Sequence, residues 1–415
     1  MLLPLTAQAQ TLAECQQAAE RNYPLIRQYD LIGKTTDMTV RNIGKGWLPQ
    51  VTAQAQATYQ NAVTEWPAEM QTVYNQMGIS MKGLRKYQYR VGIDIQQTVY
   101  DGGMIRSQKE AARRKGDVET AQTEVSMYNV RRRVNEMYFG LLLIERQIEL
   151  NKDMQKLLEG NERKLLSMYR QGTAAESDYL SVKAERLNVA QQTVRMESHR
   201  TAVMRMLSTF CGMEVRNPEK PAEIALESGQ PYKRPELKAV EAQLRLTDAQ
   251  EKSLNAALMP RLSVFASGYY GYPGYNLFED MRRHQWSWNG MVGARLSWNI
   301  GSLYTIKNDR AKIQLQRNMA ETNRDVFLFN NSMEQREQNE NIDCYRRLMA
   351  DDADIISLRQ SVRKSAESKL AHGIIDVNDL IKEINAENSA RVQQSIHETE
   401  MLREMYNLKF TRNEE

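Results

Sequence analysis

The sequence predicts a mainly α-helical chain that also carries membrane-type β-strands and consists of two copies of one structural repeat. Hydrophobic residues make up 41% of its 415 residues and charged residues 26%, a mixture that is typical of long helices. Four short segments alternate between apolar and polar residues, which is the pattern of strands with one apolar and one wet face. Five positions recur in the same order about 200 residues later, which indicates a tandem duplication.

The duplication rests on proline, glycine and aspartate positions that recur in the same order, with a single ten-residue change in offset. Two prolines recur after 211 residues and three other positions after 201: Pro24 and Pro235, Pro49 and Pro260, Gly92 and Gly293, Gly172 and Gly373, Asp178 and Asp379. We therefore assign residues 11–213 to the first repeat and 235–415 to the second, joined by a polar connector at 214–234. Residues 1–10 resemble the remnant of a secretory signal peptide, because a short apolar stretch precedes a small-x-small cleavage pattern.

Each repeat is predicted to begin with a helix and a β-hairpin. The helix covers Leu12 to Lys45 in the first repeat and Pro235 to Leu258 in the second. Alternation then predicts hairpins over about 49–99 and 260–299. A proline begins each hairpin, at a position where a strand needs no backbone donor.

A very long helix and a return helix follow each hairpin. The first long helix is predicted from Met104 to about Tyr169. Its apolar residues step by three and four, which indicates a left-handed coiled coil; they are Met127, Val130, Val134, Met137, Leu141, Ile144 and Ile148. Glycine at 172 or 373 then ends the helix, because glycine readily adopts the positive φ of a helix C-terminus. The return helices run to Phe210 and to about Lys409.

The hairpins have the properties of membrane strands. An open four-stranded sheet would leave unpaired backbone groups in hydrocarbon, so the strands are expected to close with strands from other copies. Strands of about twelve residues at a tilt near 45° cover about 28 Å, close to the thickness of a bilayer core. Trp286, Trp298, Tyr87 and Tyr100 stand at strand ends, where an aromatic girdle would place them. The alternative, a soluble coiled-coil scaffold, leaves the hairpins without a sheet to pack on.

The order of these elements resembles the TolC family of outer-membrane efflux factors. The resemblance is carried by "TLAECQQAAERNYPLI", "GWLPQVTAQAQATY", "VGIDIQQTVYDGG" and "YRQGTAAESDYLSVKAE", and by the doubling of the whole pattern. It implies a homotrimer in which a twelve-helix periplasmic α-barrel continues into a twelve-stranded outer-membrane β-barrel, with an equatorial belt at the connector. It also implies an exit duct that docks a periplasmic adaptor protein and an inner-membrane transporter of the RND or ABC type. Type I protein secretion is the alternative within this resemblance.

The resemblance also implies functional positions at the two helix tips. Gly172, Thr173, His372 and Gly373 would contact the adaptor. Asp379 would belong to an acidic ring that narrows the periplasmic entrance and acts as its gate, with Asp178 as its repeat-related residue. Lys382 stands where the family often has a second aspartate, so a lysine–aspartate interaction could close the entrance instead. The alternative for these charged residues is that they are ordinary solvated helix positions.

Several other classes of function are disfavoured by the sequence. The formal net charge is only +4 and the charges are interleaved, so a nucleic-acid partner is not expected. Cys15, Cys211 and Cys344 lie far apart in sequence and indicate neither a disulfide framework nor a zinc site. We find no nucleophile–base, phosphate-binding or metal-ligating constellation, so we expect neither an enzyme nor a cofactor. No apolar run approaches the roughly 18 residues of a transmembrane helix.

Overall fold

The computed structural model describes residues 10–80, 83–225 and 234–413. Most of the predicted signal-peptide remnant and residues 226–233 of the predicted connector lie outside these ranges. The described elements are α1 (Leu12–Asn22), α2 (Ile26–Gly44), β1 (Gln50–Tyr59), α3 (Ala68–Gln76), β2 (Tyr87–Tyr100), α4 (Met104–Arg170), α5 (Glu176–Cys211), α6 (Pro235–Ala257), β3 (Arg261–Tyr272), α7 (Leu277–Arg283), β4 (Ser287–Ser297), α8 (Ile306–Ala371) and α9 (Val377–Arg412). The predicted order of helix, hairpin, long helix and return helix is therefore present twice.

The chain folds into two compact units, each containing segments from both predicted repeats. A helical unit is made of the described residues of Met1–Leu31, Thr120–Val240 and Thr322–Glu415. A sheet unit is made of those of Ile32–Glu119 and Glu241–Glu321.

The helix predicted from Leu12 to Lys45 is wrong as a single helix. It is divided into α1 and α2, because Pro24 has no backbone N–H and disfavours helical geometry at the residue before it. That residue, Tyr23, is extended, with φ −63° and ψ 127°. The start of α1 is fixed by reciprocal hydrogen bonds between Thr11 and Glu14, a capping box that satisfies two free backbone donors.

The four predicted strands form one antiparallel sheet in the order β1-β2-β3-β4. Each repeat contributes one hairpin, and β2 pairs with β3 to join them, with Ile93 opposite Gly268. Among the described strands, β1 pairs only with β2 and β4 pairs only with β3. The sheet therefore has two open edges in one chain.

The loops between the strands contain short helices that the sequence analysis does not predict. They are α3, between β1 and β2, and α7, between β3 and β4. Tyr272 packs there with Leu84 and Met281, and its hydroxyl accepts a hydrogen bond from the backbone N–H of Arg85 at 2.9 Å.

The helical unit is held together by the predicted coiled-coil positions. Val130, Val134, Leu141 and Ile148 of α4 are all buried. A second cluster lies nearer the helix tips and includes Leu158 of α4 with residues of α5 and α9. None of the described helices combines the length and low charge that a membrane-crossing helix needs.

Candidate functional site

One face of the sheet is apolar and exposed to solvent in a single chain. Paired apolar residues lie on it across all four strands, such as Val51 with Ile95 and Ala266 with Val292. Val292 is 81% exposed, and Ile93 and Val91 are also exposed. An exposed apolar surface of this kind indicates contact with a partner or a membrane.

Aromatic residues lie at both ends of this apolar face. At the loop end, where β1 and β3 run into their loops, Tyr87 lies 5.0 Å from Tyr59 and Tyr89 stacks on Trp286 at 6.2 Å between ring centroids. At the helix end, where β2 leads into α4, lie Tyr100 and Trp298. The four predicted aromatic residues therefore form two rows. Along β2 the rows are about 43 Å apart, or about 30 Å at a tilt of 45°, which is the thickness of a bilayer core.

Tyr100 reaches the apolar face because β2 contains a bulge. Its sequence parity is opposite to that of Tyr87, so regular alternation would place it on the polar face. The register shifts between Thr98 and Tyr100, so Thr98 pairs with Ser263 while Tyr100 pairs with Leu262. An extra residue in one strand has this effect on the direction of the side chains that follow it.

The opposite face of the sheet is polar and hydrogen-bonded across strands. The Asp94 carboxylate on β2 accepts hydrogen bonds from Gln54 on β1 and from the Ser267 hydroxyl on β3, the latter at 2.5 Å. Gly293 leaves room for the Phe265 ring, since a Cβ at Gly293 would lie 2.8 Å from it. This face is chemically suited to water.

The two helix tips, which are the turns that join α4 to α5 and α8 to α9, have the same backbone structure. Gly172 and Gly373 both have positive φ, 74° and 69°. In the first tip the N–H of Thr173 donates to the carbonyl of Met168 at 2.9 Å, and the N–H of Gly172 donates to that of Tyr169. The same two bonds recur 201 residues later. This is a Schellman motif, which satisfies the last carbonyls of the long helix.

All four predicted tip residues are exposed: Gly172, Thr173, His372 and Gly373. The Thr173 hydroxyl donates to the Met168 carbonyl, and the His372 ring contacts the Ser368 carbonyl at 2.8 Å. Glycine is required in these loops for its positive φ, so capping alone accounts for Gly172 and Gly373.

The repeat-related aspartates of the two tips have different roles. In the first tip, the Asp178 carboxylate accepts a hydrogen bond from the backbone N–H of Ala175 at 3.0 Å and so caps α5. In the second tip, Asp376 replaces that alanine, and its carboxylate caps α9 by accepting from the backbone N–H of Asp379 at 2.9 Å. The exposed Asp379 carboxylate is therefore not needed for capping, whereas that of Asp178 is.

Lys382 is exposed one turn after Asp379. Across the residues that the structure describes, no ion pair joins these two side chains. The predicted lysine–aspartate interaction is thus not formed within one chain. Nor does any group of three or more histidine, cysteine, aspartate or glutamate residues in the described ranges have the arrangement of a metal site.

Comparison with known proteins identifies the fold. No protein-family model matches the sequence, and no curated protein matches it either. The structure is similar to that of the outer-membrane channel OprN, with a TM-score of 0.71 and 16% sequence identity over 96% of this chain and 89% of that one. It is also similar to the outer membrane channel CmeC of Campylobacter jejuni (TM-score 0.67, 13% identity, 96% of this chain and 85% of that one).

A third similar structure is the outer membrane protein VceC of Vibrio cholerae, with a TM-score of 0.66 and 12% identity over 96% of this chain and 94% of that one. The chain has the TolC fold. The fold predicted for one chain is thereby confirmed.

Within this TolC fold, a buried charge network joins α8 and α9, the long helix and the return helix of the second repeat. The Glu387 carboxylate on α9 accepts hydrogen bonds from Arg363 on α8 at 2.5 Å and from Arg391 at 2.8 Å. Arg363 also donates to Glu367 at 2.6 Å. The Arg363 and Glu387 side chains are only 9% and 8% exposed. Burial alone would raise the pKa of Glu387, but the hydrogen bonds from the two arginines outweigh it and lower that pKa.

The first repeat of the TolC fold has the same contact with the charges exchanged. Glu162 and Arg186 stand 201 residues before Arg363 and Glu387, and they form an ion pair at 2.6 Å. Their side chains are 17% and 30% exposed, so this pair is more hydrated than its copy. The sequence analysis missed both pairs; the offset of 201 residues shows that the two charges are exchanged between the repeats, but not that they are in contact.

Proposed function

We propose that this chain is one subunit of a homotrimeric outer-membrane channel that serves as the exit duct of a tripartite efflux pump. The observation that carries the proposal is the four-stranded sheet. It has an apolar face between two aromatic rows, a polar face, and two open edges. Its similarity to OprN and CmeC, both described as outer-membrane channels, supports the same assignment.

The open edges favour assembly of several copies. In hydrocarbon, each unpaired backbone N–H or C=O costs several kcal/mol, so spanning sheets are closed barrels. Pairing β1 of one copy with β4 of the next would satisfy both edges, and three copies would give a twelve-stranded barrel. The apolar face of the sheet would then contact lipid, and its polar face, which carries Asp94, would line a water-filled passage, as in known membrane barrels.

The helix tips are proposed to lie at the periplasmic entrance. Gly172, Thr173, His372 and Gly373 would contact a periplasmic adaptor, which connects the channel to an inner-membrane transporter of the RND or ABC type. Asp379 is the better candidate for an acidic ring, because its carboxylate is exposed and not required for capping. Three such carboxylates around an axis would attract cations and repel anions. The exported substrate would be selected by the adaptor and the transporter, so type I protein secretion is the alternative form of export.

Single-channel recording in planar bilayers tests this proposal. Detergent-extracted protein should insert and give discrete conductance steps. In the control variant Ala53→Pro, β1 loses a backbone hydrogen-bond donor. Because β1 would be paired on both sides in the closed barrel, this loss should reduce channel formation. The variant Asp379→Asn, which removes the charges of the proposed acidic ring, is recorded in the same way. The absence of conductance steps in both the wild type and this variant would contradict a channel function.

A further inference from the structure

Two of the three cysteines meet in the core of the helical unit. Cys15 lies in α1 and Cys211 is the last residue of α5, and their exposed fractions are 0% and 3%. The Cys211 thiol lies 3.4 Å from the backbone carbonyl oxygen of Cys15. Both cysteines belong to the same buried cluster of the helical unit. The third cysteine, Cys344, is exposed on α8.

The backbone on both sides of this cysteine pair is fixed. The Asn22 side-chain amide, at the end of α1, donates to the carbonyls of Thr209 and Phe210 at 3.1 and 3.2 Å. Gly212 turns the chain closely around Asn22 with a φ of 67°, and a Cβ there would lie 2.4 Å from the Asn22 side chain. These contacts hold the last turn of α5 against α1.

A second attachment lies before Cys15. The Gln10 backbone N–H donates to the Asn217 carbonyl, and the Glu219 N–H donates to the Gln10 carbonyl, both at 3.1 Å. The Tyr138 hydroxyl contacts the carbonyls of Gln10 and Glu219 at 2.7 Å each. Cys15 and Cys211 therefore approach each other between two sets of fixed contacts.

We propose that Cys15 and Cys211 form a disulfide when this chain folds under oxidising conditions. The periplasm is such a compartment, so occurrence of the bond in the cell rests on the proposed function. In the reaction, one cysteine thiolate attacks a disulfide of a dithiol–disulfide oxidant, and the second thiolate then displaces the oxidant from the mixed disulfide. Two electrons pass to the oxidant, which leaves as two thiols, and these carry the two protons lost by the cysteines.

This thiol–disulfide exchange takes place while the chain folds, before the two cysteines are buried. In the folded chain both Cys15 and Cys211 are buried, so an oxidant cannot reach either thiol, and reactive cysteines are accessible ones. The finished bond would attach α1, a helix of 11 residues, to the end of the first repeat. A helix this short is marginal by itself, and the cross-link would also close a long loop in the unfolded chain.

Thiol counting after refolding tests the proposal. The full chain with Cys344→Ser retains only the cysteine pair, and it is reduced, unfolded and refolded in a buffer of reduced and oxidised glutathione. After denaturation without reductant, a maleimide should label neither remaining cysteine, and intact mass should be lower by two hydrogen atoms. Reduction should then expose both thiols. The matched variant with Cys15→Ser as well should show one thiol, free or carrying glutathione.

Two free thiols, or two thiols each carrying glutathione, in the folded Cys344→Ser chain would overturn the proposal. The result does not depend on where the protein resides, so it is separate from the channel assay. The same count on protein isolated from the outer membrane tests the bond in the cell, where free thiols would likewise overturn it.

Discussion

Replacing Glu387 by alanine should weaken the packing of α9 against α8 in the part of these helices near their tip. The substitution removes the carboxylate that bridges α8 and α9 and leaves Arg363 buried with Glu367 as its remaining partner. Removing one partner of a buried ion pair typically costs 3–5 kcal/mol. Because Glu367 still partly neutralises Arg363, we expect the lower end, about 3 kcal/mol. That corresponds to a change of roughly 150-fold in a local opening equilibrium.

Backbone hydrogen exchange is a suitable assay, because a protein of two compact units need not unfold in one step. Amides of α9 around residues 384–391 should exchange roughly 150-fold faster in Glu387→Ala than in the wild type. The control is Arg186→Ala in the first repeat. Its ion pair is more exposed and worth about 1 kcal/mol, which corresponds to about a fivefold increase in the exchange of α5 amides.

The pH dependence of exchange gives a second readout of the same network. The folded pKa of Glu387 is lowered, so its contribution to stability is present above the ordinary glutamate pKa of about 4.3 and is lost as pH falls through the folded value. Wild-type protection should therefore decrease below about pH 4, and Glu387→Gln should lack this component. Equal exchange in the wild type and Glu387→Ala, or a larger effect of Arg186→Ala, would refute this reasoning.

Three further predictions concern the tips and the sheet. Asp379→Asn should weaken block by multivalent cations and raise single-channel conductance, because it removes the charges of the acidic ring that would narrow the entrance. Asp178→Asn should leave both unchanged and instead destabilise its tip by about 1 kcal/mol through loss of a cap. Equal electrical effects of the two would contradict the distinction between them. In Gly293→Leu the new side chain should clash with the Phe265 ring and reduce the yield of folded protein. The yield is measured as the fraction of protein that keeps its folded mobility in a detergent gel after heating, and a normal yield would contradict this prediction. Trp298→Ala should remove an indole that donates to the Leu258 carbonyl at 2.9 Å and slow membrane insertion, measured with lipid vesicles; an unchanged rate would exclude an interfacial role.

The elements that the sequence predicts well are those governed by local periodicity. Alternation over 87–99 depends only on which face each side chain occupies, so the strand and its apolar face follow directly from the residues. The heptad pattern from Met127 to Ile148 likewise determines which side of α4 is buried. Glycine at 172 and 373 marks the tips, because few other residues tolerate the backbone conformation found there.

The features that sequence reasoning missed depend on contacts between distant segments or on a local irregularity. Pro24 was useful as a repeat marker, yet it also divides the first helix, which the helical pattern on either side of it hides. The bulge before Tyr100 depends on pairing with β3, which the residues of β2 alone do not specify. Cys15 and Cys211 meet only because α1 packs on the end of α5, so their distance in sequence does not reveal that they are neighbours.

The roles of the tip charges were only partly predictable. Asp178 and Asp379 are equivalent by sequence offset, and nothing in that offset separates them. They differ because residue 175 is alanine and residue 376 is aspartate, so the capping carboxylate comes from different positions in the two tips. A comparison of the capping residues in both repeats would have shown this difference in the sequence itself.

The mass of the detergent-extracted particle tests the central claim most directly. The chain, expressed behind a secretory signal peptide, should appear in the outer-membrane fraction, and light scattering should give a protein mass close to three chains. A detergent-free monomer in the soluble fraction would contradict the account, because the apolar sheet face and the two open edges would then need no lipid and no neighbouring copy.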